Sequence, residues 1–484
     1  MALLVALGLL TGCTTVPRYV MPAIAVPDHY RESSRDQMTP ADGGTLAQAD
    51  VVALSGAWWR VFNDPLLDAY QARAGQASPT LQAALARLNQ AGARQREHRA
   101  GRALQADTAV GASRERPSAA VGDPPISLWR AGLEVSYDVD LFGRIAAEVS
   151  AADADAQQQA ALYRTVLLAL QADVAQTYLL VRELDAELGI RHEAQVLRER
   201  AYRLAEQGHA EGARDELSVL RARTEYESAR SAATEAQRHR ALAEHALAAL
   251  LGHAPAEFEM AVRPAPWPRV SIPAGLPSTL LERRPDIAAA ERAMAAANAR
   301  VGVADAARFP RLSLTAAGGF ESTALADLLQ WSSRTFLLGP LAGGGLTLPL
   351  LDGGRRKAQL AHAHARYQED VAHYRQTVLV AFREVEDTLV HLRTLADQQR
   401  AVDTARHAAD RAAALARVQY DEGALGQGNA IEAERTALEH RLAVVRVEGE
   451  KARTTVQLIR ALGGGWATPA PLAAASHRIE HPQY

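Results

Sequence analysis

Two hydrophobic periods alternate along this chain, and the alternation happens twice. Between positions 133 and 140, Leu133, Val135, Tyr137 and Val139 interleave with Glu134, Ser136, Asp138 and Asp140. That period of two marks a strand with one apolar and one polar face. Leu312, Leu314 and Ala316, interleaved with Ser313 and Thr315, repeat the pattern. Each strand region leads into a very long helical stretch. Positions 355–422 contain neither glycine nor proline, and 145–207 are interrupted only by Gly189. At 1.5 Å of rise per residue, one such element reaches ~100 Å. Short glycine-bearing turns at 208–215 and 423–428 then send the chain back through helices at about 216–251 and 429–462.

The two passes are copies. Arg144, Tyr163, Arg182 and Gly212 match Arg355, Tyr374, Arg393 and Gly423, each pair 211 positions apart (144 to 355, 163 to 374, 182 to 393, 212 to 423). A constant offset leaves no room for a net insertion, so a large unit is duplicated. The first copy occupies 58–254, with a helix, two strands at 104–114 and 128–140, and a helical hairpin at 144–251. The second occupies 279–466, with a helix, strands at 311–323 and 335–350, and a hairpin at 355–462. Within them, helices are expected from Pro79 to about Ala103 and from Pro285 to Arg308, and Asp64-Pro65 reads as a helix start. Residues 14–57 read as a linker without period. Residues 255–278 form a hinge carrying six prolines (255, 264, 266, 268, 273 and 277), and 467–484 form a tail. The segments 115–127 and 321–334 between paired strands read as loops at the outer face. Trp58 and Trp59 are expected to plug a hydrophobic seam; the alternative is stacking on a sugar or lipid.

Composition narrows the function. Aromatics make up 5% of the residues and the formal net charge is −3, which implies no nucleic-acid partner. No apolar run approaches the ~18–20 residues of a spanning helix, so contact with a membrane must use strands or a lipid. Cys13 is the single cysteine. Leu10-Thr11-Gly12-Cys13 closes an apolar stretch in the manner of a bacterial lipobox, although the basic residues that usually lead such a signal are absent. Residues 1–13 are therefore expected to act as a lipoprotein signal segment, with Cys13 carrying acyl chains. Thr14 in the next position favours delivery to the outer membrane.

Enzymatic chemistry finds little support. His362 and His364 are two apart and do not share a helix face. Gly343-Gly344-Gly345 lacks the lysine of a phosphate loop, and no cysteine nucleophile occurs beyond Cys13. Neither cofactor nor metal is expected. Four strands per chain cannot close on themselves: a membrane barrel needs at least ~8, and lipid tolerates no open sheet edge. If the strands lie in a membrane, several chains must pool them.

The motifs then converge on a family. The chain resembles TolC-type outer membrane factors, specifically the lipoprotein (NodT-like) branch that serves efflux systems of the RND type. The resemblance rests on Leu10-Thr11-Gly12-Cys13, Trp58-Trp59 with Phe62 and Asp64-Pro65-Leu66, Arg283-Arg284-Pro285-Asp286-Ile287, Phe309-Pro310, Asp352-Gly353-Gly354-Arg355 and Ile431-Glu432-Ala433-Glu434-Arg435-Thr436. It implies an α+β membrane protein: a homotrimeric outer-membrane β-barrel, four strands per chain, continuous with a periplasmic α-helical barrel. It implies a passive exit duct for small molecules, partnered by a periplasmic adaptor and an inner-membrane RND-type pump. The gate and the adaptor-docking turns would fall at Gly212, Ala213 and Asp215 and at Gly423 and Ala424, with Asn429 and Glu432 at the positions where relatives place acidic rings. Glu432 keeps that charge and Asn429 does not. Three symmetry-related Glu432 carboxylates would favour cations; the alternative for Glu432 is a solvated surface acid. Tyr420 matches a latch tyrosine, but Leu425 replaces the latch arginine, so the latch does not carry over. The competing reading is a periplasmic adaptor-like coiled-coil lipoprotein with a structural role. Two hairpins, each preceded by a strand pair, disfavour it.

Overall fold

A computed structural model describes residues 18–32, 56–115, 125–263, 270, 272, 277–335 and 344–464. Cys13 and the tail 467–484 lie outside the described residues. The duplication is visible in element lengths. Helix α1 spans Pro65–Ala77 and α2 spans Pro79–Ala100. After strands β1 (Gln105–Glu115) and β2 (Ile126–Val139) come α3 (Arg144–Ala210) and α4 (Glu216–Leu250). The second pass has α5 (Pro277–Arg283), α6 (Pro285–Ala306), β3 (Arg311–Ser322), β4 (Arg334–Thr335), β5 (Gly344–Thr347), α7 (Arg355–Asp421) and α8 (Gln427–Ala461). Helices α3 and α7 both contain 67 residues. The returning helices both contain 35, and α2 and α6 both contain 22.

Local chemistry explains the boundaries and several departures from the expected ones. Asp64 caps α1 by accepting from the backbone N–H of Leu66 and Leu67, with Pro65 in the first turn. Helix α2 stops at Ala100 rather than 103, because Gly101 follows. Strand β2 ends at Val139 rather than Asp140. Asp140 instead caps α3, its carboxylate accepting from Ile145 N at 3.1 Å and Ala146 N at 2.7 Å. Asp352 does the same for α7, accepting from Gly354 N at 3.0 Å and Arg356 N at 3.3 Å. The strand expected at 335–350 appears as two described pieces, β4 and β5, both on β3. It ends at Thr347 because Pro349 has no N–H to add to a ladder. Helix α8 starts at Gln427, so Gly428 belongs to the helix and not to the turn.

The chain divides into two compact units, with the boundary inside the long helices at Tyr163 and Val378. The first unit holds the sheet, α6 and the opening turns of α3 and α7. Its strand order is β1-β2-β3-β4, all antiparallel, with β5 also on β3. Its helices bury small side chains, including Ala147, Ala151 and Ala154 on α3 and Ala289, Ala296 and Ala299 on α6. Alanine lets helix backbones approach closely, so these long elements are held by side-to-side contact along their length. Tyr19 of the N-terminal segment donates to Glu291 at 2.7 Å.

The second unit has a core of larger residues. Trp58, Phe62 and Leu67 pack with Leu170, Val174 and Tyr178 of α3, Leu247 of α4, and Val456 and Ile459 of α8. Trp58 is 2% exposed and donates to Gln171 at 3.2 Å. A buried polar chain runs through this unit. Tyr178 donates to Asp64, and Arg182 donates to Tyr178 at 3.0 Å and to the carbonyl of Arg263 at 3.0 Å. Asp185 accepts from Arg240 at 2.7 Å and from Arg263 N at 3.1 Å. The duplicate of Arg182 is used otherwise: Arg393 pairs with Glu32 at 2.6 Å. Tyr30 is 1% exposed, and the backbone of Arg31 and Glu32 donates to Glu386 at 2.8 and 3.0 Å. The described part of the 14–57 linker is thereby fastened to the second copy.

Candidate functional site

Three features bear on function: the sheet's two faces, the two helix turns, and the ion pairs that join the copies. The register puts every second residue of adjacent strands on a common face. One face carries Val110 of β1, Leu133, Val135 and Tyr137 of β2, Leu312, Leu314 and Phe320 of β3, and Leu346 of β5. Val110 is 82% exposed and Leu346 64%, so among the described residues this apolar surface has little protein cover. The opposite face carries Asp107, Arg130, Glu134, Ser136, Asp138, Arg311, Ser313, Thr315 and Glu321. Several of its charges are paired: Arg130 with Glu321 at 2.7 Å, and Asp138 with Arg311 at 3.2 Å and Arg144 at 3.4 Å; Asp107 and Glu134 stand opposite each other as two acids. An exposed apolar face backed by a charged, polar face suits lipid on one side and water on the other. Strand β1 and the β4–β5 side form the edges, with no further strand beside them among the described residues. No helix among the described residues is long and apolar enough to cross a membrane.

The two turns share one geometry. In the first, Gly212 sits at φ +74° and its N–H donates to the His209 carbonyl at 2.9 Å, while Ala213 N and Arg214 N reach Gly208 O at 2.8 and 3.0 Å. In the second, Gly423 sits at φ +76°, its N–H donates to Tyr420 O at 2.9 Å, and Ala424 N and Leu425 N reach Gln419 O at 2.8 and 3.1 Å. This is the Schellman pattern, which satisfies helix-end carbonyls and favours glycine at the left-handed position. The copies differ just beyond it. Asp215 caps α4, accepting from the Ser218 hydroxyl and from Ser218 N at 3.0 Å, and these bonds hold its carboxyl below the ordinary carboxylate range. Gly426 stands at the equivalent place and offers α8 no side-chain cap. His209, placed like Tyr420, has its Nδ1 3.0 Å from the Arg214 carbonyl.

Of the sites expected from sequence, Gly212, Ala213, Asp215, Gly423 and Ala424 all lie in or beside these exposed turns. Asn429 and Glu432 lie in the first turns of α8. Glu432 is not a free acid. Arg435 Nε donates to it at 2.8 Å, and the same guanidinium donates to Glu439 at 2.8 Å. The bond from Arg435 lowers the Glu432 pKa. The sequence reading missed this partner, although the i, i+3 spacing on a helix was there to reveal it. No group of three or more histidine, cysteine or acidic residues suited to a metal ion occurs among the described residues.

A second missed feature joins the copies. Glu183 and Glu187 of α3 face Arg453 and Arg446 of α8; the second pair meets at 2.8 Å. Gly449 makes room for the first pair, because a Cβ there would run into the Glu183 carboxylate. Burial works against the charge on both acids. It raises the Glu183 pKa despite Arg453, whereas Arg446 and Arg191 together outweigh it and lower that of Glu187. The positions 211 further on, Thr394 and Gln398, carry no charge, so the second copy does not repeat these two acids.

A family model described as outer membrane efflux protein matches residues 71–253 and 276–464. The outer membrane protein OprJ of Pseudomonas aeruginosa is 33% identical over 479 residues, covering 96% of this chain and 95% of its own length. The cation efflux system protein CusC of Escherichia coli is 31% identical over 462 residues, covering 94% and 96%. A crystal structure of a membrane protein from Pseudomonas aeruginosa aligns with a TM-score of 0.83 at 30% identity, covering 96% of this chain and all of that one. The CmeC outer membrane channel of Campylobacter jejuni aligns with a TM-score of 0.86 over 95% and 96% of the two chains; at 24% identity that likeness concerns the fold alone.

Proposed function

The chain belongs to the outer membrane efflux protein family and is an outer-membrane efflux channel subunit that extends into the periplasm; on that premise we propose that three copies assemble into one duct. The observation that carries the reading is the two-faced sheet with uncompleted edges. One chain supplies four strands' worth of wall, so the β1 edge of one copy must join the β4–β5 edge of the next to satisfy backbone groups in lipid. Three copies reach ~12 strands, within the range of membrane barrels. Small molecules, drugs and toxic compounds among them, leave through the lumen. The chain itself performs no chemistry; a periplasmic adaptor and an RND-type inner-membrane pump supply selection and drive.

The gate and the docking surface for the adaptor lie at the helix turns, around Gly212, Ala213 and Asp215 and around Gly423, Ala424, Asn429 and Glu432. Their exposure and duplicated geometry support this role. Cys13 carries a lipid that anchors the chain to the outer membrane in the manner of the lipoprotein branch; the support is the Leu10-Thr11-Gly12-Cys13 sequence. The test of the channel reading is mass and conductance on one detergent-extracted sample. A trimeric mass with discrete conductance steps in a planar bilayer is expected. A monomer that conducts, or a trimer that never does, overturns it. Intact-mass analysis of the mature protein reads the lipid separately.

A further inference from the structure

Both edges of the sheet end in an arginine on the wrong face for a purely apolar surface. In β1 the apolar positions are even-numbered, from Ala106 through Val110 to Arg114, which is opposite Ser127. In β4, Arg334 pairs with Phe320 of the same apolar face. The helices join the strands at the Val139 and Arg311 ends. Arg114 lies at the opposite end of β1, the outer one in the channel reading on which this inference rests, and Arg334 opens β4 from that same side, two residues inside the end of β3 and in the cross-strand row of Val110. Neither guanidinium has a carboxylate partner recorded among the described residues, whereas Arg130 on the polar face is paired with Glu321.

Arg334 is held in place. Its guanidinium lies 4.2 Å from the ring centroid of Trp331, and its Nη1 donates to the Trp331 carbonyl at 2.9 Å. Trp331 is 69% exposed, with Leu325 and Leu329 exposed beside it. Trp129 shares the apolar face, opposite Ser322 at the outer end of β3. Amphipathic indole rings favour the boundary between hydrocarbon and headgroups. An arginine there reaches past the apolar band and offers a planar fork of donors that suits a phosphate.

We propose that the outer end of the apolar face binds phosphate-bearing lipid headgroups, held by Arg114 and by the Arg334–Trp331 stack. The two arginines sit on the two edges of the sheet, which barrel closure joins between protomers. A bound anionic lipid therefore offsets like charge at each seam and adheres to both copies. Acyl chains lie on the apolar surface of Val110, Leu133, Leu314 and Leu346.

The test uses the full chain in an uncharged detergent, incubated with phosphatidylglycerol, with uncharged diacylglycerol, or with inorganic phosphate, and then weighed by native mass spectrometry. Wild type is expected to retain phosphatidylglycerol and to lose diacylglycerol. The double variant R114Q/R334Q is expected to retain less, by about fivefold for each arginine replaced. R102Q/R308Q removes equal charge from the opposite end of the strands and is expected to retain lipid as wild type does. Equal retention by R114Q/R334Q, or equal loss in both doubles, overturns the proposal. Full displacement of lipid by inorganic phosphate also overturns it, in favour of a free-anion site. If the first double does not assemble, R114Q and R334Q singly carry the same comparison. The same spectra report copy number, so lipid held by a monomer refutes the trimer and leaves the lipid site standing.

Discussion

At the scale of single residues, the environment of Glu432 decides what the second turn can do. A ring of bare carboxylates would focus negative potential, but each Glu432 here is shared with Arg435, which also engages Glu439. The local sum is one negative charge from three groups. In bilayer conductance, E432Q is therefore expected to reduce cation preference, whereas R435A, by releasing two acids, is expected to raise it. If both variants conduct as wild type does, Glu432 is a solvated surface acid and has no part in the gate. Glu432 was legible in sequence as an acid near a turn. Arg435 was equally legible as a neighbour, but only side-chain geometry shows that the two are bonded.

At the scale of elements, the α3–α8 seam sets helix propensity against packing. Replacing Gly449 by alanine favours an isolated helix by about 1 kcal/mol. The added methyl displaces Glu183 from Arg453, and a buried acid parted from its partner costs about 3 kcal/mol. Packing wins, so G449A is expected to destabilise the protein by about 2 kcal/mol, read as a lower midpoint in helix melting by circular dichroism. The neighbouring Glu187 makes the same seam sensitive to acid. Its pKa lies below the ordinary 4.5 because Arg446 and Arg191 outweigh burial. A depressed carboxylate contributes stability fully above its unfolded value and loses it as pH falls through the folded one. Glu183, with its raised pKa, does not add to this acid lability. Melting midpoints should therefore hold from pH 7 to 5 and fall below about 4.5, and E187Q should show a smaller fall over that lower range. Equal falls would place the acid lability elsewhere.

At the scale of the whole molecule, the sheet faces carry the strongest constraint, and adjacent residues of β1 test it. Val110 lies on the apolar face and Ala109 on the polar face. V110R puts an added charge toward hydrocarbon, at a cost that rises with depth to about 2–4 kcal/mol at the bilayer midplane, so it should fail to insert or should lose heat-resistant oligomer on a gel. A109R adds the same group toward water and should assemble, with altered conductance. Equal behaviour of the two would mean that the strand does not line a barrel.

The sequence by itself determined the duplication, the long hairpins and the alternation of the strands, because each is written in spacing: a constant offset, an absence of breakers, a period of two. It also placed Gly212 and Gly423, since a reversal between two such helices calls for a residue at ease with positive φ. Only the tertiary structure decided which of two equivalent positions carries which partner. Arg182 and Arg393 are the same residue in the two copies, yet one sits in a buried network with Tyr178 and the other meets Glu32. The Glu183–Arg453 and Glu187–Arg446 pairs join residues about 260–270 positions apart. No local period specifies a partner at that distance; it is set by where helix packing brings the chains together.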